Sequence, residues 1–193
     1  MTVPRTLTQL GREEVEELKL YVARHGQTNY NVLGLCNDDP KKDVHLTKLG
    51  VKQSEELAEK LRNKKIDLII VSELPRTRET AEIINKHHKA PILVDKRLND
   101  RKTGFEGKPV SEFQKAVEPD RLRLKFGDGE SFLEEKERVL SFLEDLKKVE
   151  ANSVLVVTHS EPIQIINGYF KKLSDEEMLA TKIKNCQLLE YNL

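Results

Sequence analysis

Short apolar runs alternate along this chain with longer stretches in which apolar residues recur at helical spacing. Runs of strand length occupy residues 19–24, 66–72, 91–95 and 153–160, and continuous apolar runs of this length are typical of strands buried on both faces. Helical spacing predicts helices over residues 47–64, 76–88 and 131–150, and another after Pro162. The alternation predicts an α/β fold in three layers, with a mainly parallel central sheet flanked by helices.

The second half of the chain also contains weaker patterns. Residues 99–129 are rich in glycine, proline and charge, which predicts loops with one helix near residues 110–118. A short helix is predicted over residues 174–180, with Ser174 as its N-cap. The alternating stretch 186–191 predicts a final strand at an edge of the sheet, and this edge offers a surface for pairing in a homodimer.

Length and charge limit the classes of protein to which the chain can belong. With 193 residues the chain fits one domain, which we assign to residues 19–193. We interpret residues 1–18 as an extension that forms a short charged helix on the surface. Lysine plus arginine equal aspartate plus glutamate, at 33 each, so the net charge indicates neither a nucleic-acid nor a membrane partner. Any anion-binding site must therefore be local.

The sequence favours a cytoplasmic protein with no metal and no cofactor. The N-terminus lacks the apolar region of a signal peptide, and no run approaches the roughly 18 apolar residues of a membrane span. Cys36 and Cys186 are far apart and outside any metal-binding spacing. His45, His87 and His88 lie in charged surroundings, and adjacent histidines on a helix point about 100° apart, which is poor geometry for a metal.

Chemically active side chains follow three of the predicted strands. The tripeptide Arg-His-Gly (24–26) ends the first strand, Ser72 and then Arg76 follow the second, and the tripeptide Thr-His-Ser (158–160) ends the strand at 153–160. In open α/β folds, ligands bind beyond the carboxyl ends of the strands. If these strands are neighbours, two histidines and two arginines that are distant in sequence meet at one edge of the sheet.

This set of side chains suits the transfer of a phosphoryl group. The charge of such a group spreads over its equatorial oxygens, so catalysis consists mostly of positioning and electrostatic stabilisation. Arginine offers planar, bidentate donors for these oxygens. A neutral imidazole can attack phosphorus when an acceptor holds its other ring nitrogen, and Gly26 lets backbone approach closely. The remaining need is an acid for the leaving alkoxide.

Five segments follow one another in an order that is typical of one protein family. They are ARHGQTNYN (23–31), DVHLTKLGVKQ (43–53), SELPRTRETA (72–81), GDGES (127–131) and VVTHSEP (156–162). Together they resemble the motifs of the histidine phosphatase superfamily, also called the phosphoglycerate mutase-like family, over roughly residues 19–170. The ordered set carries the resemblance, and it implies a phosphoglycerate mutase-like fold.

The resemblance also implies roles for particular residues. His25 is then the nucleophile that forms a phosphohistidine. Five residues are then expected to bind the phosphate: Arg24, Asn31, Arg76, His159 and, through its backbone, Ser160. Asp100, in LNDRKTG (98–104), stands where the family usually has a glutamate acid, so it is the expected proton donor. The alternative is that Asp100 is a surface residue paired with an arginine.

The sequence departs from the mutases of this family beyond residue 100. Thr103 stands where they usually have an aromatic residue, and the insert with their paired substrate arginines is absent, since Arg121 and Arg123 are separated and are expected to face solvent. Ser160 and Glu161 replace the pair of glycines that commonly follows the second histidine, which narrows or recharges the pocket.

These departures favour a compact phosphomonoester hydrolase that acts on a small phosphorylated metabolite without a metal. A mutase must shield its phosphoenzyme from water while the substrate reorients, and the groups for this are not found. Two guanidinium groups and an imidazolium supply the positive charge that a metal supplies elsewhere. Two alternatives remain: a phosphoglycerate mutase, and a phosphate-binding regulatory protein with little turnover. The expected assembly is a monomer or a homodimer.

Overall fold

The structure is a computed structural model that describes residues 17–193, and a five-stranded sheet forms its centre. The strands are β1 Lys19–Arg24, β2 Leu68–Val71, β3 Ile92–Val94, β4 Ser153–Thr158 and β5 Leu188–Asn192. Their order is β3-β2-β4-β1-β5, with the first four parallel and β5 antiparallel to β1. The predicted α/β fold with a mainly parallel sheet is confirmed, and so is the final strand at an edge.

Helices cover both faces of this sheet. In the described part of the chain they are α1 Asn29–Leu33, α2 Lys48–Leu61, α3 Pro75–Asn85, α4 Val110–Val117, α5 Phe132–Leu146, α6 Ser160–Lys171 and α7 Asp175–Ala180. The side chains of β1 alternate between the faces, so Leu20 and Val22 pack in one apolar core and Tyr21 and Ala23 in the other. The first core includes residues of α5 and α6, and the second includes residues of α2 and α3.

The helix starts follow from their capping residues. Thr47, Ser131 and Ser174 each accept a hydrogen bond from the backbone N–H group three residues later, which satisfies a donor that the helix leaves unpaired. The short helix with Ser174 as its N-cap is therefore confirmed. On α5, Phe132, Val139, Phe142, Leu143 and Leu146 are buried, and on α2 Leu57 and Leu61 are buried whereas Leu49 is 49% exposed.

Helix α6 begins earlier than the sequence predicted. Its first residue is Ser160, so Pro162 lies within the first turn and not before it. A proline is tolerated there because the first N–H groups of a helix have no intrahelical partner. The early start makes His159 the N-cap and joins the end of β4 directly to the helix.

Residues 99–131 form a cover over the carboxyl end of the sheet and contain α4, as predicted for this loop-rich region. A small apolar cluster packs within this segment and against Cys36. Cys36, Phe113 and Val117 are buried in the cluster, and Phe105 packs against them. Both cysteines of the chain are free. None of the helices between residues 17 and 193 has the length and apolarity needed to cross a membrane. The charged helix predicted near the N-terminus falls on residues 1–16, which lie outside the described residues, so it stays a prediction.

Candidate active site

The carboxyl ends of β1, β2 and β4 lie side by side. Arg24 is the register partner of Thr158, and β2 is paired with β4 on its other side. This arrangement places His25 and His159 in edge-to-face contact, with ring centroids 5.1 Å apart. The convergence of distant histidines that the sequence predicted is therefore present in the fold.

His25 is held in the tautomer that a nucleophile needs. Its ring is 2% exposed, and Nδ1 lies 2.7 Å from the carbonyl oxygen of Gly26. A carbonyl can only accept, so Nδ1 carries the proton and Nε2 has the free electron pair. Nε2 in turn accepts a hydrogen bond of 3.1 Å from Arg76 Nε. Burial, followed by the charges of Arg76 and Arg24, lowers the pKa of His25 well below its usual value, so the ring is neutral.

The backbone beside His25 requires a glycine. A Cβ atom on Gly26 would lie 2.4 Å from the carbonyl oxygen of Gly50, at the start of α2. The Gly26 N–H donates to Thr80 Oγ1 at 3.0 Å. Residue 26 is therefore fixed between two helices, and the carbonyl that orients His25 is fixed with it.

Arg76 lies at the centre of the site and is almost wholly buried, at 3% exposure. Its Nε group donates to both histidines, at 3.1 Å to His25 Nε2 and 3.2 Å to His159 Nδ1. Nη1 donates to Asn37 Oδ1 at 2.5 Å, and Nη2 donates to the Asn37 carbonyl at 3.2 Å and to Asp100 Oδ2 at 3.4 Å. One guanidinium thus links the nucleophile, the second histidine and the candidate acid.

His159 is fully buried and is oriented from behind by Ser72. The Ser72 Oγ atom lies 2.8 Å from His159 Nε2 and also bonds Thr77 Oγ1 at 2.9 Å. Because Nδ1 accepts a hydrogen bond from Arg76, Nε2 carries the ring proton and donates a hydrogen bond to Ser72 Oγ. Burial and then Arg76 lower the pKa of His159 well below its usual value, so this ring is also neutral in the structure.

Of the five residues expected to bind the phosphate, Arg24, Asn31 and Arg76 line the cavity, whereas His159 and Ser160 do not. Arg24 Nη1 donates to the carbonyl of Ile183 at 2.7 Å, whereas its buried Nε has no acceptor among the described residues. Asn31 Oδ1 accepts from the Thr28 N–H group at 3.1 Å and from Asn185 Nδ2 at 3.3 Å. Both of these hydrogen bonds are accepted by Oδ1, so they do not use the Nδ2 group of Asn31. The Nδ2 group can therefore donate to an anion.

Asp100 lies in the cavity wall with its side chain one third exposed, at 33%. Its Oδ2 atom is 3.4 Å from Arg76 Nη2 and 3.8 Å from His159 Nδ1. Burial raises the pKa of Asp100 above its usual value, although Arg76 opposes this. The backbone of this segment is held by Arg138, which donates to the carbonyls of Arg97 and Asn99 at 2.7 and 2.9 Å.

The cavity above these groups offers about 160 Å³ of space to water. Ser160 is the first residue of α6 and is not one of the lining residues, whereas its neighbour Glu161 is. Arg121 and Arg123 are both exposed, and Arg123 pairs with Asp120 at 3.5 Å, so the prediction that they face solvent is confirmed. Within residues 17–193, no cluster of three or more histidine, cysteine, aspartate and glutamate side chains is arranged to hold a metal ion.

Sequence reasoning missed several side chains of this site. Asn37 contacts Arg76 from a loop in which no periodic pattern marks it, and the loop is held by Glu106, which accepts the N–H groups of Asp38 and Asp39 at 2.7 and 3.0 Å. Arg101 also lines the cavity, and its position directly after Asp100 is the one signal that could have indicated this.

The comparisons with known proteins agree with the geometry. A sequence profile of the histidine phosphatase superfamily (branch 1) matches residues 20–193. The chain therefore belongs to the histidine phosphatase superfamily. Its relatives include a Hydrogenobacter thermophilus protein provisionally named phosphoserine phosphatase 2, 28% identical over 91% of this chain and 89% of the relative. Another relative, from Proteus mirabilis and provisionally named phosphoglycerate mutase GpmB, is 28% identical over 78% of this chain and 70% of the relative.

Solved structures show the same fold. The α-ribazole phosphatase of Shigella flexneri superposes with a TM-score of 0.81 at 23% identity, covering 90% of this chain and 89% of that one. A mycobacterial glucosyl-3-phosphoglycerate phosphatase superposes with a TM-score of 0.75 at 24% identity, covering 90% of both chains.

Proposed function

We propose that this protein is a phosphomonoester hydrolase that acts on a small phosphorylated metabolite, without a metal, through a phosphohistidine on His25. The observation that carries the proposal is the tautomer of His25. Its Nδ1 proton is held by the Gly26 carbonyl, and its Nε2 electron pair faces Arg76 beside the cavity. A neutral, buried imidazole with one fixed nitrogen is suited to attack on phosphorus.

The reaction follows in two balanced steps. In the first, His25 Nε2 forms a bond to phosphorus while the bond from phosphorus to the ester oxygen breaks, and Asp100 gives its proton to the departing alkoxide. In the second, water attacks phosphorus, its proton passes to the Asp100 carboxylate, and the bond between phosphorus and His25 breaks. Inorganic phosphate leaves, and both residues return to their starting states.

The cationic side chains stabilise the charge that develops on the phosphoryl oxygens. Arg24 and Arg76 offer guanidinium donors at the cavity, and binding of a phosphate dianion would replace the contact between Arg76 and Asn37. The same dianion would favour protonation of His159, because a nearby opposite charge raises the pKa of a base.

The role of Asp100 has a test that depends on the leaving group. We expect Asp100→Asn to lower kcat/KM for glycerol 2-phosphate about 10²-fold or more, but to lower it less than about 10-fold for p-nitrophenyl phosphate, whose leaving group needs no proton. Phosphate release measures both. Asp145→Asn, which changes an exposed carboxylate of α5 bonded to Lys148, serves as the control. Equal losses on the two substrates would remove Asp100 from the role of acid.

Hydrolysis is favoured over the mutase reaction because the arginines that could hold a second substrate group, Arg121 and Arg123, are exposed at the surface. The names of relatives cover both reactions, so a direct assay is needed. We expect 3-phosphoglycerate with a bisphosphoglycerate primer to give no rapid formation of 2-phosphoglycerate. Rapid isomerisation without phosphate release would establish the mutase alternative. A folded protein that releases no phosphate from p-nitrophenyl phosphate between acidic and neutral pH would be a binding protein.

The remaining expectations stay predictions from the sequence. They are the cytoplasmic location, the absence of nucleic-acid and membrane partners, and assembly as a monomer or homodimer.

A further inference from the structure

Three charged side chains form a buried cluster at the cavity: Arg101 and Glu161, which line it, and Glu135. Arg101, directly after Asp100, has a side chain that is only 4% exposed, and its Nη2 group donates to Glu161 Oε1 at 2.7 Å. Its Nε atom lies 3.9 Å from Oε2 of Glu135, a fully buried residue of α5. The guanidinium also stacks over the ring of Phe113, with Arg101 Cζ 4.9 Å from the ring centroid.

The hydrogen bonding of this cluster is incomplete. Of the seven buried side-chain polar atoms without a partner in the described part of the chain, four belong to it: Arg101 Nε, Arg101 Nη1, Glu135 Oε2 and Glu161 Oε2. Burial, followed by the charge of Glu161, raises the pKa of Glu135 well above its usual value, which favours its protonated form. A protonated Glu135 that donates to Glu161 satisfies both oxygens.

The charges of the cluster therefore cancel. Arg101 contributes one positive charge, Glu161 one negative charge and protonated Glu135 none. Arg101 and Glu161 both line the cavity that contains His25, so the one lining arginine that the phosphate does not use is already neutralised. A second anionic group on a substrate would meet a paired cation and the carboxylate of Glu161.

A groove lies beside the cavity and shares Asp100 with it. The charges that line this groove also disfavour an anionic group. Its three cations are all paired: Lys96 with Glu73 at 3.2 Å, Lys102 with Asp128 at 2.5 Å, and Arg138 with Glu130. Three further carboxylates line it, those of Asp38, Asp39 and Glu106. The charge that lines this groove is therefore net negative, whereas the charges of the Arg101 cluster balance.

We propose that the protein prefers phosphomonoesters whose alcohol part carries no anionic group, and that Glu161 is a residue that determines this specificity by occupying Arg101. The inference rests on the proposed hydrolase function and names its substrate class.

A matched pair of substrates tests this inference. Racemic glycerol 3-phosphate and racemic 3-phosphoglycerate differ only in a hydroxymethyl group against a carboxylate. We expect kcat/KM of the wild-type protein to be about 10-fold or more higher for glycerol 3-phosphate than for 3-phosphoglycerate. Glu161→Gln should reduce this ratio about 10-fold, because the variant keeps the shape of the side chain and removes its charge. Phosphate release from both substrates gives the ratio.

Glu176→Gln is the matched control, since it removes the same charge from an exposed position on α7 and is expected to leave the ratio unchanged. A wild-type protein that hydrolyses 3-phosphoglycerate as well as glycerol 3-phosphate overturns the inference, and this comparison decides even if Glu161→Gln does not fold. A folded Glu161→Gln variant with the wild-type ratio overturns the role of Glu161. If the wild-type protein also fails on p-nitrophenyl phosphate, the proposed hydrolase function itself has failed.

Discussion

Replacement of His25 by alanine is expected to abolish turnover of p-nitrophenyl phosphate, with a loss in kcat of about four orders of magnitude or more. In the proposed mechanism Nε2 of this ring is the atom that bonds to phosphorus, and alanine leaves no nucleophile in its place. Phosphate release measures the loss. Rapid alkaline quenching after mixing with labelled substrate preserves the acid-labile phosphohistidine and measures the phosphoenzyme, which should form in the wild-type protein and be absent from the variant.

The control for this prediction is His45→Ala, which removes an exposed histidine that contacts Asp43 and should leave both measurements unchanged. Loss of the buried His25 ring also removes an acceptor for Arg76, so circular dichroism must show that the variant is folded. A folded variant that retains a phosphoenzyme would assign the nucleophile to another residue, and His159 would be the next to examine.

The sheet was predictable because its central strands are buried on both faces. Such strands read as uninterrupted apolar runs, as in residues 153–158, and every residue of β4 is buried. Helix α1 was not predicted, since it has five residues and none of them is buried. Its stability comes from a capping box between Thr28 and Asn31 and from Gly34 at its C-cap, and these local bonds leave no periodic signal.

The candidate site was predictable only in part. The parallel strand ends bring His25, Arg76 and His159 together, so the motifs at those ends were sufficient to place them. The proton positions on the rings could not be predicted, because they depend on contacts such as that of Ser72 with His159, 87 residues away. The cluster of Arg101, Glu161 and Glu135 could not be predicted either, because Glu135 lies on α5 and approaches Arg101 from a distant part of the sequence.

Replacement of Arg76 by alanine is expected to lower kcat/KM about 10³-fold or more, since its guanidinium bonds both histidines and Asp100 and, in the proposed mechanism, also the phosphoryl oxygens. Arg76→Lys keeps a charge but loses the planar set of donors, so it should recover only a part of this loss. Steady-state kinetics with p-nitrophenyl phosphate measures both variants. Arg78→Ala, on the same helix and exposed beside Glu82, is the control and should match the wild-type protein.

The pH dependence of kcat/KM separates an electrostatic role of Arg76 from a loss of folding. Arg76 is the second cause, after burial, that keeps the pKa of His25 below its usual value of about 6.5. Activity requires the neutral ring and is lost as the pH falls through its pKa. Without the cation that pKa rises, so the acid limb of the Arg76→Ala profile should move to higher pH, whereas in Arg76→Lys it should stay close to that of the wild-type protein. A profile for Arg76→Ala that is lower but not displaced would show that Arg76 does not set the protonation of the nucleophile.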